Sequence, residues 1–301
     1  MSAFIDSQKA AGFAVELVCR TLGVSRSAHY QRAGGQRSAR AVRDEQLVAT
    51  IRELHERNFE AYGYRKMHLA LRRAGVCDIG RDRVKRVMRA NGIRGAKRRG
   101  KPWRTTIADP HAGRRPDLVQ RDFTADRPDR LYVADFTYLR CWEGLVYLAF
   151  VIDVYSRRVV GWQLTGHMRA SLVCDALKMA VGTRARGADV KLVHHSDRGS
   201  QYTSSDFAQV LDDHHVLQSV GSVGDAYDNA MAESFVDTIK TELIADRVWR
   251  TRTDFELGIV EYLGWFNHDR LHESLGDIPP IEFEDLDTNQ MSEHAPANNI
   301  N

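Results

Sequence analysis

The chain is poor in cysteine and proline and has no long apolar run. Its four cysteines, Cys19, Cys77, Cys141 and Cys174, lie far apart without a paired short spacing. That excludes a disulfide framework and a cysteine zinc site, and a reducing cytosol is the expected compartment. No apolar stretch approaches the roughly 20 residues that span a bilayer, and the N-terminus lacks a basic-then-apolar leader, so neither export nor membrane embedding is expected. Four of the seven prolines, Pro102, Pro110, Pro116 and Pro128, fall in a stretch without sustained periodicity, so 101–128 is expected to be a linker. Against these absences stand 301 residues with 43% hydrophobic content, enough for a sizeable core in one large or two to three small domains.

The net charge of +3 is unevenly spread. From Arg81 to Arg115 there are 13 basic residues against two acidic ones, among them Arg83, Lys85, Arg86, Arg89, Lys97, Arg98 and Arg99. Such a run neutralises phosphates and releases counterions, giving salt-dependent binding to a polyanion. A solvated helix face followed by a soluble linker is the other reading.

The first 40 residues have the pattern of a helix-turn-helix. A short helix over 12–20, with Phe13, Leu17 and Cys19 on or near one face, leads to Gly23, and Ser25 caps a second helix from Arg26 to Gln31. Arg26, Ser27 and His29 would lie on the helix facing a major groove; many helical hairpins without DNA share the pattern. Two glycines within 33–38 read as a hinge. Three further helices, over 44–57, 65–74 and 81–92, fill a second helical segment at 41–100. The first carries Leu47, Val48, Ile51 and Leu54 at helical spacing, and the last presents Val84, Val87, Met88 and Asn91 on one face. Its other faces are basic, which suits a DNA backbone or a structural spacer.

The pattern changes after the linker. Leu131–Arg140, Leu145–Val154 and Arg158–Leu164 are β-rich runs separated by short turns, the spacing of a three-stranded meander. A helix over 169–184, a strand at 190–195, a helix near 204–213, a strand at 216–220 and a long helix from about Asp228 to Leu243 complete the order. This is the element order of a ribonuclease-H-like fold, an α/β sandwich with a mixed sheet, expected over 129–285. The stretch 286–301 has little apolar content and reads as a disordered tail.

Three acids stand out within that fold. Asp135 lies mid-strand, where an unpaired charge is costly to bury. Asp197 follows the fourth strand, expected beside the first, and 35 residues separate it from Glu233 on the long helix. Asn229 and Lys240 share the helix face of Glu233, one turn before and two turns after it. Three carboxylates suit hard cations such as Mg²⁺ or Mn²⁺, and two ions could clamp an in-line displacement at phosphorus, with Lys240 holding a phosphate nearby. Singly, each acid is more often structural, and Asp153 competes. The histidine pairs His194-His195 and His214-His215, with His268 and His272, complete no zinc motif and suit packing or hydrogen bonding. Tyr262, Trp265 and Phe266 read as core.

The segments VADFTYL, HHSDRGSQYTS, SVGDAYDNAMAESFVDTIKTEL and WFNHDRLHESLGDIPP resemble the catalytic core of bacterial insertion-sequence transposases, of the family whose element carries two overlapping reading frames. The N-terminal LGVSRSAHY and YGYRK…VKRVMRANGI resemble the same family, as its downstream frame, and the core is similar to retroviral integrases. The resemblance implies an integrase-type ribonuclease-H-like core with an acid triad at Asp135, Asp197 and Glu233, holding Mg²⁺ or Mn²⁺. It implies strand cleavage at terminal inverted repeats and strand transfer into target DNA, by a homo-oligomer on double-stranded DNA in the bacterial cytoplasm, at the nucleoid. It also implies a possible fusion with the upstream-frame product and no nucleotide cofactor. Tyr132 stands where the family often has tryptophan, an expected packing change only. A structure-directed nuclease of the same fold and a silent regulatory DNA-binding protein are the rival readings.

Overall fold

The computed structural model describes residues 1–34, 39–97, 117–120, 122–184, 191–221, 230–245 and 247–293. The chain divides into two compact units, Met1–Arg57 with Gly63–Arg94, and Asn58–Tyr62 with Gly95–Asn301. The segment Asn58–Tyr62, between the helices expected over 44–57 and 65–74, thus groups with the second unit and not with the helical segment expected at 41–100.

In the first unit, α1 (Ser2–Ala10), α2 (Val15–Thr21) and α3 (Arg26–Ala33) enclose a small core of Ile5, Val15 and Cys19, with Val18 and Val24 against it. The α2–α3 turn is as expected: Gly23 takes φ +64°, and Ser25 Oγ accepts the Ala28 N–H at 3.4 Å. The faces differ from expectation. Phe13 and Leu17 are exposed, because α1 supplies Ile5 to the opposite side of α2. His29 is buried with its Nε2 3.5 Å from Asp6 Oδ1, so it packs α3 onto α1 and is not presented to a groove.

The unit continues with α4 (Ala39–Arg57), α5 (Tyr64–Arg73) and α6 (Arg81–Ala90), which bury Leu47, Ile51, Met67, Leu71, Val84, Val87 and Met88. Asn91 is not part of that apolar face. It is exposed, and its Nδ2 donates to Val87 O at 2.9 Å at the end of α6. The hinge residues 35–38 lie outside the described residues, as does most of the proposed linker.

The second unit holds a five-stranded sheet of order β3-β2-β1-β4-β5. Its strands are β1 (Leu131–Cys141), β2 (Gly144–Asp153), β3 (Val159–Thr165), β4 (Val193–Ser196) and β5 (Leu217–Val220). The first three form the expected antiparallel meander; β4 and β5 add in parallel, so β4 lies beside β1. Pairing of β1 with β4 covers only Leu131–Val133, which leaves the outer half of β1 without a paired strand on that side among the described residues.

Helices α7 (Ala170–Gly182) and α8 (Ser205–Asp213) pack against the sheet around Leu172, Leu177, Phe207 and Leu211. Gly161 on β3 permits a close approach of α7, since a Cβ there would lie 2.2 Å from Ala176 O. Ser204 caps α8 by accepting the Phe207 N–H at 3.2 Å. Then come α9 (Ala230–Ile239), a π-helical turn over Lys240–Ile244, α10 (Arg252–His268) and α11 (Pro280–Glu293). The aromatic cluster of α10 is core, as expected: Tyr262 and Trp265 enclose Phe59, and Trp265 Nε1 donates to Asn58 Oδ1 at 3.1 Å. Two expectations are corrected. Helix α11 continues to Glu293, beyond the tail boundary at 286, and Arg158 and Arg184 anchor it by binding Glu284. The end of the linker is ordered against the sheet, with Leu118 N–H donating to Ser219 Oγ at 2.9 Å.

Candidate active site

Asp135 sits on β1 opposite Phe150 of β2, and its Oδ1 accepts the Phe136 N–H at 2.8 Å. The residue keeps some solvent access but its carboxyl is deeply set. Burial, then the charge of Asp197, with Glu233 adding to it, pushes its pKa up to about 8, against the Phe136 N–H and Lys240. The structure therefore brings the three acids and the lysine into one electrostatic neighbourhood.

Asp197 follows β4 and curls back on its own loop, where Oδ1 accepts the Gly199 N–H at 3.0 Å. Glycine at 199 makes room for this, since a Cβ would lie 3.1 Å from that oxygen. Glu233 is exposed in the first turn of α9, and its pKa is raised by partial enclosure and by Asp237 one turn on. Asp237 is an acid that the spacing argument missed, although its i, i+4 relation to Glu233 was readable.

Lys240 lies where α9 passes into the π turn, closed by the Ala245 N–H on Lys240 O at 2.9 Å. Burial lowers its pKa, opposed by Asp237 and Asp135, and its Nζ stands 5.5 Å from the centre of the Tyr138 ring. The turn is held from behind. Glu242 accepts from Arg270 at 2.7 and 2.9 Å and from the Tyr262 hydroxyl at 2.8 Å. Spacing alone gives no signal for that brace, because its partners are 20 and 28 residues away. Asn229 lies outside the described residues, as do Arg98 and Arg99.

Behind the acids, Tyr202 is 1% exposed and its hydroxyl has no hydrogen-bond partner among the described residues. Its pKa is raised by burial, then by Asp135 and Asp197. His194 beside it is also buried, and burial followed by His195 lowers its pKa to about 3, so it is a neutral packing residue. His195 Nδ1 lies 2.9 Å from Ser219 Oγ, and the His272 ring packs on Phe266, the packing and bonding roles expected. Asp153 is structural, accepting the N–H groups of Asp129 and Tyr155 at 2.7 and 2.8 Å. Tyr132 is fully buried and its hydroxyl donates to Asp129, a bond tryptophan would not make in the same way.

Among the described residues, no three His, Cys, Asp or Glu side chains stand close enough together to hold an ion as they are. The donor set nevertheless fits a hard divalent cation: it is all carboxylate oxygen, and the like-charge strain on Asp135 is what a cation relieves. Among the basic residues of the first unit, Arg83 and Arg86 are bound to Asp44 at 2.9 and 2.6 Å, and Lys85 stands over the Tyr64 ring at 5.3 Å. Lys85, Arg89 and Lys97 are exposed.

Comparison with known proteins defines the class. Two models described as Integrase core domain match residues 125–226 and 214–280, and one described as HTH-like domain matches 42–101, the second helical segment. The chain is 44% identical over 265 residues to the putative transposase for insertion sequence element IS986/IS6110 of Mycobacterium tuberculosis, covering 87% of this chain and 95% of that one. It is 41% identical over 277 residues to the transposase for insertion sequence element IS629 of Shigella sonnei, covering 90% and 92%. Among solved structures, the catalytic core domain of BIV integrase is 17% identical, covers 55% of this chain and 99% of its own, and gives a TM-score of 0.41. The chain belongs to the family of bacterial insertion-sequence transposases. The expected α/β, ribonuclease-H-like class is borne out, and no helix among the described residues is long and apolar enough to cross a membrane.

Proposed function

We propose that this protein cleaves DNA at the ends of its insertion element and transfers the freed 3′ ends to target DNA, with Asp135, Asp197 and Glu233 as its catalytic acids. The observation that carries this is the position of Asp135: a mid-strand carboxyl, deeply set, on which the charges of Asp197, Glu233 and Lys240 all act. Neutral packing would not gather two further acids around one buried carboxyl, because each added charge raises the cost of the next.

When bound, a pair of divalent cations, Mg²⁺ or Mn²⁺, supplies Lewis acidity at the scissile phosphate. Asp135, Asp197 and Glu233 would hold them. Asp135 fixes the site to the rigid sheet, Asp197 contributes from a loop shaped by Gly199, and Glu233 closes it from α9. Lys240, braced by the Glu242–Arg270 pair, orients a phosphate beside the acids. The exposed cations Lys85, Arg89 and Lys97 bind the DNA backbone without reading sequence, as Arg98 and Arg99 do in the same run. We further propose that the protein works as a homo-oligomer on DNA, in the cytoplasm at the nucleoid, and as a fusion with the product of an upstream frame.

The test is an in-cell excision assay: the gene in its native flanking DNA, amplified across the outward-facing element ends, for wild type and Asp197→Asn. A joined-end product that requires Asp197 is expected. Metal-dependent nicking without joined ends would instead define a nuclease, and DNA binding with neither a regulator.

A further inference from the structure

The outer half of β1 carries a feature that the acid site does not use. Tyr138 and Arg140 are both exposed, and they alternate with the buried Leu139 and Cys141, so they share one face of the strand. The turn that follows places Trp142 beyond them with 71% of its surface exposed. Lys240 stands over the Tyr138 ring at 5.5 Å, and Arg250 over the Trp142 ring at 5.4 Å. Two aromatic rings, each paired with a cation, therefore flank a third cation, Arg140.

This end of the sheet is tied to the segment before α10. The Trp142 N–H donates to Trp249 O at 3.0 Å, and the Arg252 N–H donates to Glu143 Oε2 at 2.8 Å, so the turn is tied on both sides to the segment bearing Arg250. Trp249 stacks on Phe255 with ring centres 4.7 Å apart, and it fills the space above Gly258, where a Cβ would meet it at 2.2 Å. A tryptophan this exposed on a braced turn is not completing a core. Arg140 and Arg250 form no ion pair among the described residues, and Glu143 faces the Arg252 amide. Two acids border the strip, Asp237 near Lys240 and Glu143 at the turn.

At about 3.3 Å per residue, Tyr138 to Trp142 spans roughly 13 Å, the length of about four stacked nucleotides. One end of the strip is Lys240, whose charge acts on Asp135. Cations that track a backbone beside exposed ring faces are the chemistry of single-strand binding, because every base has a face that stacks and every linkage is anionic.

We propose that Tyr138, Arg140, Trp142, Arg250 and Lys240 form a track for unpaired DNA, leading from the acid site to the β1–β2 turn. It holds a short single strand beside the scissile phosphate. This rests on the proposed DNA-cutting function and adds to it a place where unpaired nucleotides run.

The test uses the full-length protein and two labelled probes, an oligothymidylate and a random-sequence duplex, titrated over a range of salt. Trp142→Ala should weaken oligothymidylate binding about tenfold, the loss of one stacked base, and leave duplex binding unchanged. Trp142→Tyr, which keeps a ring, should restore it. Arg140→Ala with Arg250→Gln should make the single-strand salt slope shallower by about 1.4. Unchanged oligothymidylate affinity and slope in these variants would overturn the track, as would an equal loss on both probes. A shift in sedimentation of Trp142→Ala with oligothymidylate binding intact would make the strip a contact between copies and also overturn it. If the wild type bound neither probe, the proposed DNA function itself would fall, which is a separable result.

Discussion

Arg184 grips Glu284 with both ends of its guanidinium, Nη1 to Oε2 at 2.8 Å and Nη2 to Oε1 at 3.1 Å. The same group reaches Asp129 at 2.8 Å and Asp153 at 3.7 Å, and Arg158 adds a bond of 2.7 Å to Glu284. One cation therefore joins the start of β1, the end of β2 and helix α11 in a site where its own side chain is 10% exposed. Replacing it leaves three carboxylates facing each other. Arg184→Met is expected to destabilise the second unit by about 3–5 kcal/mol, the range for breaking a buried ionic group on one side. Chemical denaturation measures this, and a loss under 1 kcal/mol would show that the three acids are solvated without Arg184.

Asp153 sets a pH dependence of opposite sign to the usual salt-bridged acid. It is fully buried, and burial pushes its pKa up to about 6 despite the N–H groups and Arg184 around it. The folded state therefore binds this proton more tightly than the unfolded chain. Its contribution is full at pH below the ordinary value near 4 and is lost as pH rises through 6. Asp153→Asn cannot ionise but gives up one of two accepted N–H bonds, so it should be less stable than wild type at pH 4. The gap should narrow by up to about 3 kcal/mol by pH 7. A gap that stays constant between pH 4 and pH 7 would mean that Asp153 remains ionised throughout.

Removing the Tyr202 hydroxyl should leave the fold as stable or make it more so. A buried hydroxyl without a partner costs about 1–3 kcal/mol relative to a bonded one, so Tyr202→Phe is expected to melt at the same temperature as wild type or higher. A fall in thermal stability by more than about 1 kcal/mol would place a partner on that oxygen. The packing of its ring on His194 and Phe207 should survive, since those contacts involve the ring alone.

Gly161 is a site of close packing with no positive φ requirement. A methyl there meets Ala176 O at 2.2 Å and Ala180 Cβ at 2.8 Å, and backbone atoms cannot swing aside as a long side chain can. Gly161→Ala should cost about 1–3 kcal/mol by forcing α7 off β3. An unchanged denaturation midpoint would show that α7 slides freely on the sheet.

The sequence alone carried the catalytic fold far, because strand and helix patterning in the second unit is local. The meander is set within short turns, as are the Gly23 turn and the Ser25 cap in the first unit, and the run LVYLAFVIDV reads as a strand covered on both faces. The acids were also legible as residues, since a charge in the middle of an apolar strand signals itself at Asp135. What the tertiary structure decided depends on contacts without a sequence period. Only it shows that Arg184 is the charge that faces Asp153, and that Arg83 and Arg86 are held by Asp44. It also turned His29 inward, because α1 docks on α3 through Asp6, a contact 23 residues away in sequence that no helical periodicity encodes. Periodicity reports which face of an element seeks cover. Which distant side chain provides that cover is set by three-dimensional packing, and that is where the buried ion network and the braced π turn at Lys240 were decided.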